Sequence, residues 1–104
     1  MPPPLDSQGA LVILFQGQRY PVTKESFLIG RSGHACDLQL NDPHVSRKHL
    51  LIERVNDQYF AVDTGSTDGT LFQGSRISRL ALQHGYRLQV CMFELVFLFE
   101  PAAP

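Results

Sequence analysis

This chain is short of what most function classes require. No charge of one sign prevails among its 104 residues: nine Lys and Arg stand against ten Asp and Glu, a formal net charge of −1. Near-neutrality argues against nonspecific nucleic-acid binding, which depends on a basic face that neutralises phosphates. Any anion recognition must then be local, built from a few placed residues. Cys36 and Cys91 are the only cysteines. Without a secretory signal they read as free, partly buried thiols rather than a disulfide. No Cys/His spacing resembles a zinc ligand set, so neither metal nor cofactor is expected. The N-terminus, M-P-P-P-L-D-S-Q-G, has no basic region followed by an apolar one, as a signal peptide would. No apolar run approaches the roughly 18 residues of a membrane span, and the expected compartment is the cytosol. Also missing are a G-x-S-x-G elbow and a Walker loop. No window shows an i, i+3, i+4, i+7 apolar stripe bounded by caps, so no helix of consequence is expected.

What remains is a turn-rich globular composition: 43% hydrophobic and 18% charged, with 8 Gly and 7 Pro. That supports one domain with one core. Residues 1–10, with Pro2, Pro3 and Pro4, and residues 101–104, P-A-A-P, read as tails around a module at 11–100. Further domains in a larger protein are compatible with such tails. Inside the module the pattern is β throughout. Strands are expected over 11–15, 19–23, 27–30, 37–40, 49–55, 59–63, 71–72, 76–78, 86–92 and 93–99. Tight turns are expected at 16–18, 56–57 and 73–74. In the segment 86–92 Leu88, Val90 and Met92 alternate with Arg87, Gln89 and Cys91. Many short strands at close turn spacing make an all-β sandwich or barrel.

The informative stretches lie between the strands. F-L-I-G-R-S-G puts Arg31 directly after a glycine that closes an apolar run, and N-D-P-H-V-S-R-K-H groups Ser46, Arg47 and His49. D-T-G-S-T-D-G-T-L-F-Q-G is a Gly/Ser/Thr/Asp turn leading into a short strand. Cations, hydroxyls and glycines at loop positions are what an anion-binding loop surface needs. Loops at one end of a sandwich cluster in space, so Arg31, Ser46, Arg47 and Thr67 are expected to converge. Arg47 and Lys48 are adjacent residues entering a strand and should point opposite ways. Arg47 is assigned to the pocket and Lys48 to solvent.

G-R at 30–31, D-L-Q-L at 37–40, V-S-R-K-H at 45–49 and G-S-T-D-G-T-L-F-Q-G at 65–74 together resemble the forkhead-associated (FHA) domain. The motifs stand in the family's order, and the resemblance covers roughly residues 11–99. It implies a β-sandwich of about eleven short strands in two sheets, binding phosphothreonine peptides through loops at one end. By the same resemblance Arg31 holds the phosphate, Ser46 donates its hydroxyl to it, and Arg47 lends another donor. Thr67 contacts the phosphothreonine or the chain beside it. Gly30, Gly69 and Gly74 are conformational, through positive φ or close backbone approach. His49 is architectural, behind the binding loop. The family's S-T-N-G reads Ser66-Thr67-Asp68-Gly69 here. Asp keeps the turn, but an ionised carboxylate cannot donate to a peptide backbone as Asn does. The partners implied are a phosphothreonine-containing protein and an upstream Ser/Thr kinase. Residues 1–10 hold Ser7 but no threonine, so a phosphothreonine switch within that tail is not expected.

Other readings stand beside this one. The same loops, or a sheet face, could serve phosphate-independent assembly, and Asp68 keeps that reading open. His44 has two readings, a surface histidine or a contact to a ligand side chain beyond the phosphothreonine. His34 and His84 fall in turns and carry no role. Ser46, His49 and Asp63 spell a hydrolytic triad on paper, but Ser46 lacks an elbow and His49 follows it by only three residues.

Overall fold

A computed structural model of the chain describes residues 10–101. The expected tails therefore lie outside the described residues, except Ala10, which opens the first strand, and Pro101. Eleven strands follow one another with no helix among the described residues. They are β1 (Ala10–Phe15), β2 (Gln18–Pro21), β3 (Ser26–Gly30), β4 (Leu38–Gln39), β5 (Leu50–Val55) and β6 (Gln58–Asp63). Then come β7 (Thr70–Phe72), β8 (Ser75–Ile77), β9 (Arg79–Ala81), β10 (Tyr86–Val90) and β11 (Phe93–Glu100).

The strands form two sheets, ordered β2-β1-β11-β10-β7-β8 and β4-β3-β5-β6-β9. Period-2 alternation decides which side chains face the other sheet. Leu11, Ile13 and Phe15 of β1 are buried, as are Leu50 and Ile52 of β5, Leu88 and Val90 of β10, and Leu95 and Phe97 of β11. Each such side chain contributes about 1.5–3 kcal/mol of apolar burial. The register agrees with this facing: Ile13 stands opposite Phe97, Leu88 opposite Leu95, and Ile52 opposite Ala61.

The hairpin turns follow the sequence reading. Gln16-Gly17 and Gln73-Gly74 both take positive φ at each residue, and Asn56 does so before Asp57. Such turns match the right-handed twist of the strands they join.

Three expectations need correction. The tenth strand ends at Val90, not at 92, because Cys91 adopts φ 55° and turns the chain at Cys91-Met92. Met92 is consequently 72% exposed instead of continuing the buried face. β9 was not expected; three residues with only Leu80 half-buried carry too little alternation to register as a strand. β5 starts at Leu50 rather than at residue 49, so residues 45–49 are loop.

Candidate functional site

Three segments meet at one end of the sandwich: 31–37 after β3, 40–49 before β5, and 64–69 between β6 and β7. The first two are stitched together by main-chain bonds, Arg31 N–H to Ser46 C=O at 3.0 Å and Ser32 N–H to Arg47 C=O at 3.2 Å. Gly30 permits this approach, since a Cβ there would lie 2.4 Å from the Arg47 carbonyl oxygen. Its glycine is required for space, not for positive φ. Arg31 donates from Nε to the Val45 carbonyl at 3.0 Å, and Gln39 Nε2 donates to the Arg31 carbonyl at 3.0 Å. Anchored through Nε, the Arg31 guanidinium keeps its terminal nitrogens as donors.

His49 is the pivot behind these loops. It is fully buried, and its two ring nitrogens serve two different segments. Nδ1 accepts the Ser46 N–H at 3.2 Å, and Nε2 bonds the Gly69 carbonyl at 2.8 Å. A carbonyl only accepts, so the proton is on Nε2. The Ser46 hydroxyl oxygen in turn accepts the Thr67 N–H at 3.2 Å. With that lone pair engaged, the Ser46 O–H proton is free to donate elsewhere. The paper triad of Ser46, His49 and Asp63 is not assembled: Asp63 Oδ2 lies 3.9 Å from Nε2, and His49 meets Ser46 through the main chain.

Asp63 instead organises the third loop. Its Oδ1 accepts the N–H groups of Gly65 at 2.9 Å and Ser66 at 2.8 Å. Its Oδ2 accepts the hydroxyls of Ser66 at 2.6 Å and Thr70 at 2.9 Å. The Ser66 hydroxyl also accepts the Gly69 N–H at 2.9 Å. Burial is the largest single influence on this carboxyl and pushes its pKa up; the donors from Ser66, Thr70 and Gly65 together outweigh it and hold it below the usual range. A depressed carboxyl stabilises the fold above its unfolded pKa of about 3.9, and that stability is lost as pH falls through the lower folded value. Thermal melts from pH 7 to pH 3 should therefore show falling stability below about pH 4, and Asp63→Asn should flatten that fall. An unaltered slope in the variant would assign the acid loss to other carboxylates.

Arg31, Ser46, Arg47 and Thr67 line one cleft of about 660 Å³, together with Pro43, His44, Val45, Lys48 and Asp68. Lys48 thus lines the cleft beside Arg47, contrary to its assignment to solvent. The alternation argument needed a strand, and this stretch is loop. Asp68 and His44 mark the far side of the cleft, against the β10–β11 turn. There the Cys91 thiol approaches the His44 carbonyl at 3.3 Å and the Asp68 carboxylate at 3.7 Å. Burial, then the Asp68 charge, push the Cys91 thiol pKa up. Cys36 likewise contacts the Arg47 carbonyl at 3.2 Å, and both cysteines are free. His44 is exposed; its N–H and Nδ1 lie 2.8 and 3.1 Å from Asp42 Oδ1. Gly69 and Gly74 take φ +84° and +81°. Sequence reasoning gave no positioning role to Gln39 or Arg76 and met Asp63 only in the paper triad, because their bonds run to loop main chain or between near neighbours. No group of three or more His, Cys, Asp or Glu among the described residues could hold a metal ion. Nor is any described helix long and apolar enough to cross a membrane.

A two-sheet β-sandwich whose end loops form an open, cation-rimmed cleft is a recognition module by architecture. The chain belongs to the FHA domain family, whose model matches residues 27–91. FHA domains bind phosphothreonine peptides. The chain is 37% identical over 82 residues to an oxoglutarate dehydrogenase inhibitor of Corynebacterium jeikeium, covering 79% of this chain and 56% of that protein. It is 30% identical over 101 residues to the glycogen accumulation regulator GarA of Mycolicibacterium smegmatis, covering 93% of this chain and 63% of that one. The chain therefore spans less than two thirds of either relative's length. Among solved structures it is similar to Mycobacterium tuberculosis EmbR in complex with a low-affinity phosphopeptide. There the TM-score is 0.86 and the identity 27%, over 96% of this chain and 28% of that one.

Proposed function

We propose that the cleft binds a phosphothreonine segment of a partner protein, with Arg31, Ser46 and Arg47 on the phosphate and Thr67 beside it. The observation that carries this reading is the pairing of Arg31, held by Nε on Val45, with Ser46, whose oxygen already accepts from Thr67. Both residues thus offer donors and no competing acceptor to an incoming anion. A phosphothreonine brings roughly −1.5 to −2 charges at neutral pH, and Arg31, Arg47 and Lys48 balance it locally in a nearly neutral chain. Exposed Pro43 supplies apolar lining for the threonine methyl, worth about 0.8 kcal/mol over serine.

Occupancy of such a site regulates assembly rather than catalysing a reaction. A Ser/Thr kinase is the upstream writer, and the module works in the cytoplasm. Relatives named as an enzyme inhibitor and as an accumulation regulator support a regulatory role for the parent protein. The test is a degenerate peptide pool presented before and after phosphatase treatment. Phosphothreonine peptides should bind at least about tenfold better than their unphosphorylated forms, as even one charge-assisted bond would provide. Equal binding of both pools would leave the phosphate-independent scaffold reading in its place.

Asp68 and His44 face the peptide residues that follow the phosphothreonine. An exposed carboxylate there cannot donate to the peptide backbone and weakly repels the phosphate. Asp68→Asn should therefore tighten phosphothreonine-peptide binding by about three- to tenfold in fluorescence polarisation, a modest gain because exposed charges are screened. Unchanged binding would exclude Asp68 from peptide contact, and weaker binding would mean that its carboxylate helps to hold the peptide rather than opposing it.

A further inference from the structure

Arg76 is a cation that no face of the cleft displays. It lies on β8, at the edge of its sheet, and lines a separate hollow with Asp63, Gly65, Ile77 and Ser78. Its guanidinium reaches back under the 64–69 loop. Nη2 donates to the Ser66 carbonyl at 2.9 Å and more weakly to the Thr67 carbonyl at 3.4 Å. Gly69 leaves room for it, since a Cβ on Gly69 would lie 2.5 Å from Arg76 Nε.

The Ser66 carbonyl and the Thr67 N–H belong to one peptide group. On one side that group accepts from Arg76; on the other it donates to the Ser46 hydroxyl oxygen at 3.2 Å. The Ser46 hydroxyl is in turn the donor assigned to the phosphate. We propose that Arg76 is a positioning residue of the phosphate site, acting from behind the cleft through the Ser66–Thr67 peptide group and the Ser46 hydroxyl. The inference rests on the phosphothreonine reading above. A cation on the carbonyl polarises the peptide, making its N–H a stronger donor, and a hydroxyl that accepts a stronger bond donates a stronger one. Such chains gain roughly 10–30% per bond in condensed phases. The guanidinium also sets the plane of the peptide, which aims the Thr67 N–H at Ser46. Asp63 shares the hollow, but its oxygens are taken by Gly65, Ser66 and Thr70, and Arg76 donates to carbonyls instead.

The test uses Arg76→Gln, whose amide can still brace the Ser66 carbonyl but carries no charge. The probe is the tightest phosphothreonine peptide from the degenerate pool, followed by calorimetry and by ³¹P titration of the bound phosphate. Arg76→Gln should weaken binding about two- to fourfold, in keeping with a 10–30% loss on a charge-assisted bond to the phosphate. The second ionisation of the bound phosphate, about pH 6 when free and lower in the wild-type complex, should move upward by roughly 0.3 or more. Weaker binding with an unmoved ³¹P titration would mean that Arg76 only braces the loop, and wild-type affinity would mean that it does nothing for the site; either overturns the proposal. If Arg76→Gln does not fold, Arg76→Met is read by the same titration. A wild-type domain that binds no member of the pool fails the phosphothreonine reading itself and removes this one with it.

Discussion

Replacing Arg31 with alanine should weaken phosphothreonine-peptide binding by at least about a hundredfold and erase the preference for the phosphorylated form. Hydrogen bonds to charged groups are worth about 1.5–3 kcal/mol each, and the guanidinium can make two in parallel to one phosphate. Losing both amounts to roughly 3–6 kcal/mol, and every 1.4 kcal/mol is tenfold. The fold should hardly notice, because Arg31 is exposed and its side chain bonds only the Val45 carbonyl. Changes at exposed positions usually stay within about 0.5 kcal/mol. Arg31→Lys should rescue poorly, since an ammonium offers neither the fork nor the Nε anchor that aims it. Calorimetry with matched phosphorylated and unphosphorylated peptides checks both points. A variant that still discriminated by tenfold would move the phosphate to other residues.

The largest effect on stability is expected at His49. His49→Ala should lower unfolding free energy by about 3–4 kcal/mol, combining a cavity with the loss of partners for two main-chain groups. The Ser46 N–H and the Gly69 carbonyl are those groups, and the imidazole that serves them has no exposed surface. For a domain of this size, 1 kcal/mol shifts the melting temperature by roughly 4–8 °C, so a drop of about 12 °C or more is expected in a calorimetric scan. Because His49 joins the Ser46 loop to the Gly69 loop, the variant should also bind phosphopeptide weakly when still folded. A melting temperature within about 2 °C of the wild type would remove His49 from the frame, since a substitution without such a role costs less than about 0.5 kcal/mol.

Much of the architecture is legible in the chain itself. Strand alternation places Leu11, Ile13 and Phe15 on one face, and the same rule holds for Leu88 with Val90. It fails at Met92 because Cys91 adopts a left-handed backbone that few non-glycine residues take, and nothing local announces it. It fails at β9 because three residues on an edge need little burial to be held by main-chain bonds to β6. Lys48 was misplaced for a related reason. Periodicity describes side-chain direction only where the backbone is regular, and residues 45–49 are held irregularly by cross-loop bonds.

The all-β class, the turns at Gly17 and Gly74, and the residues whose chemistry suits a phosphate, Arg31, Ser46, Arg47 and Thr67, can be read from the order of residues alone. These depend on local propensity and on functional-group type, which each residue carries wherever it folds. How those groups are held and aimed depends on contacts between segments far apart in the chain. Arg31 is fixed by a carbonyl fourteen positions away, Ser46 by an N–H twenty-one positions away, and His49 spans twenty residues to Gly69. Arg76 meets the loop with no motif of its own, through carbonyls that every residue possesses. Main-chain partners are chemically identical along the chain, so their pairing is set by which segments the two sheets bring together.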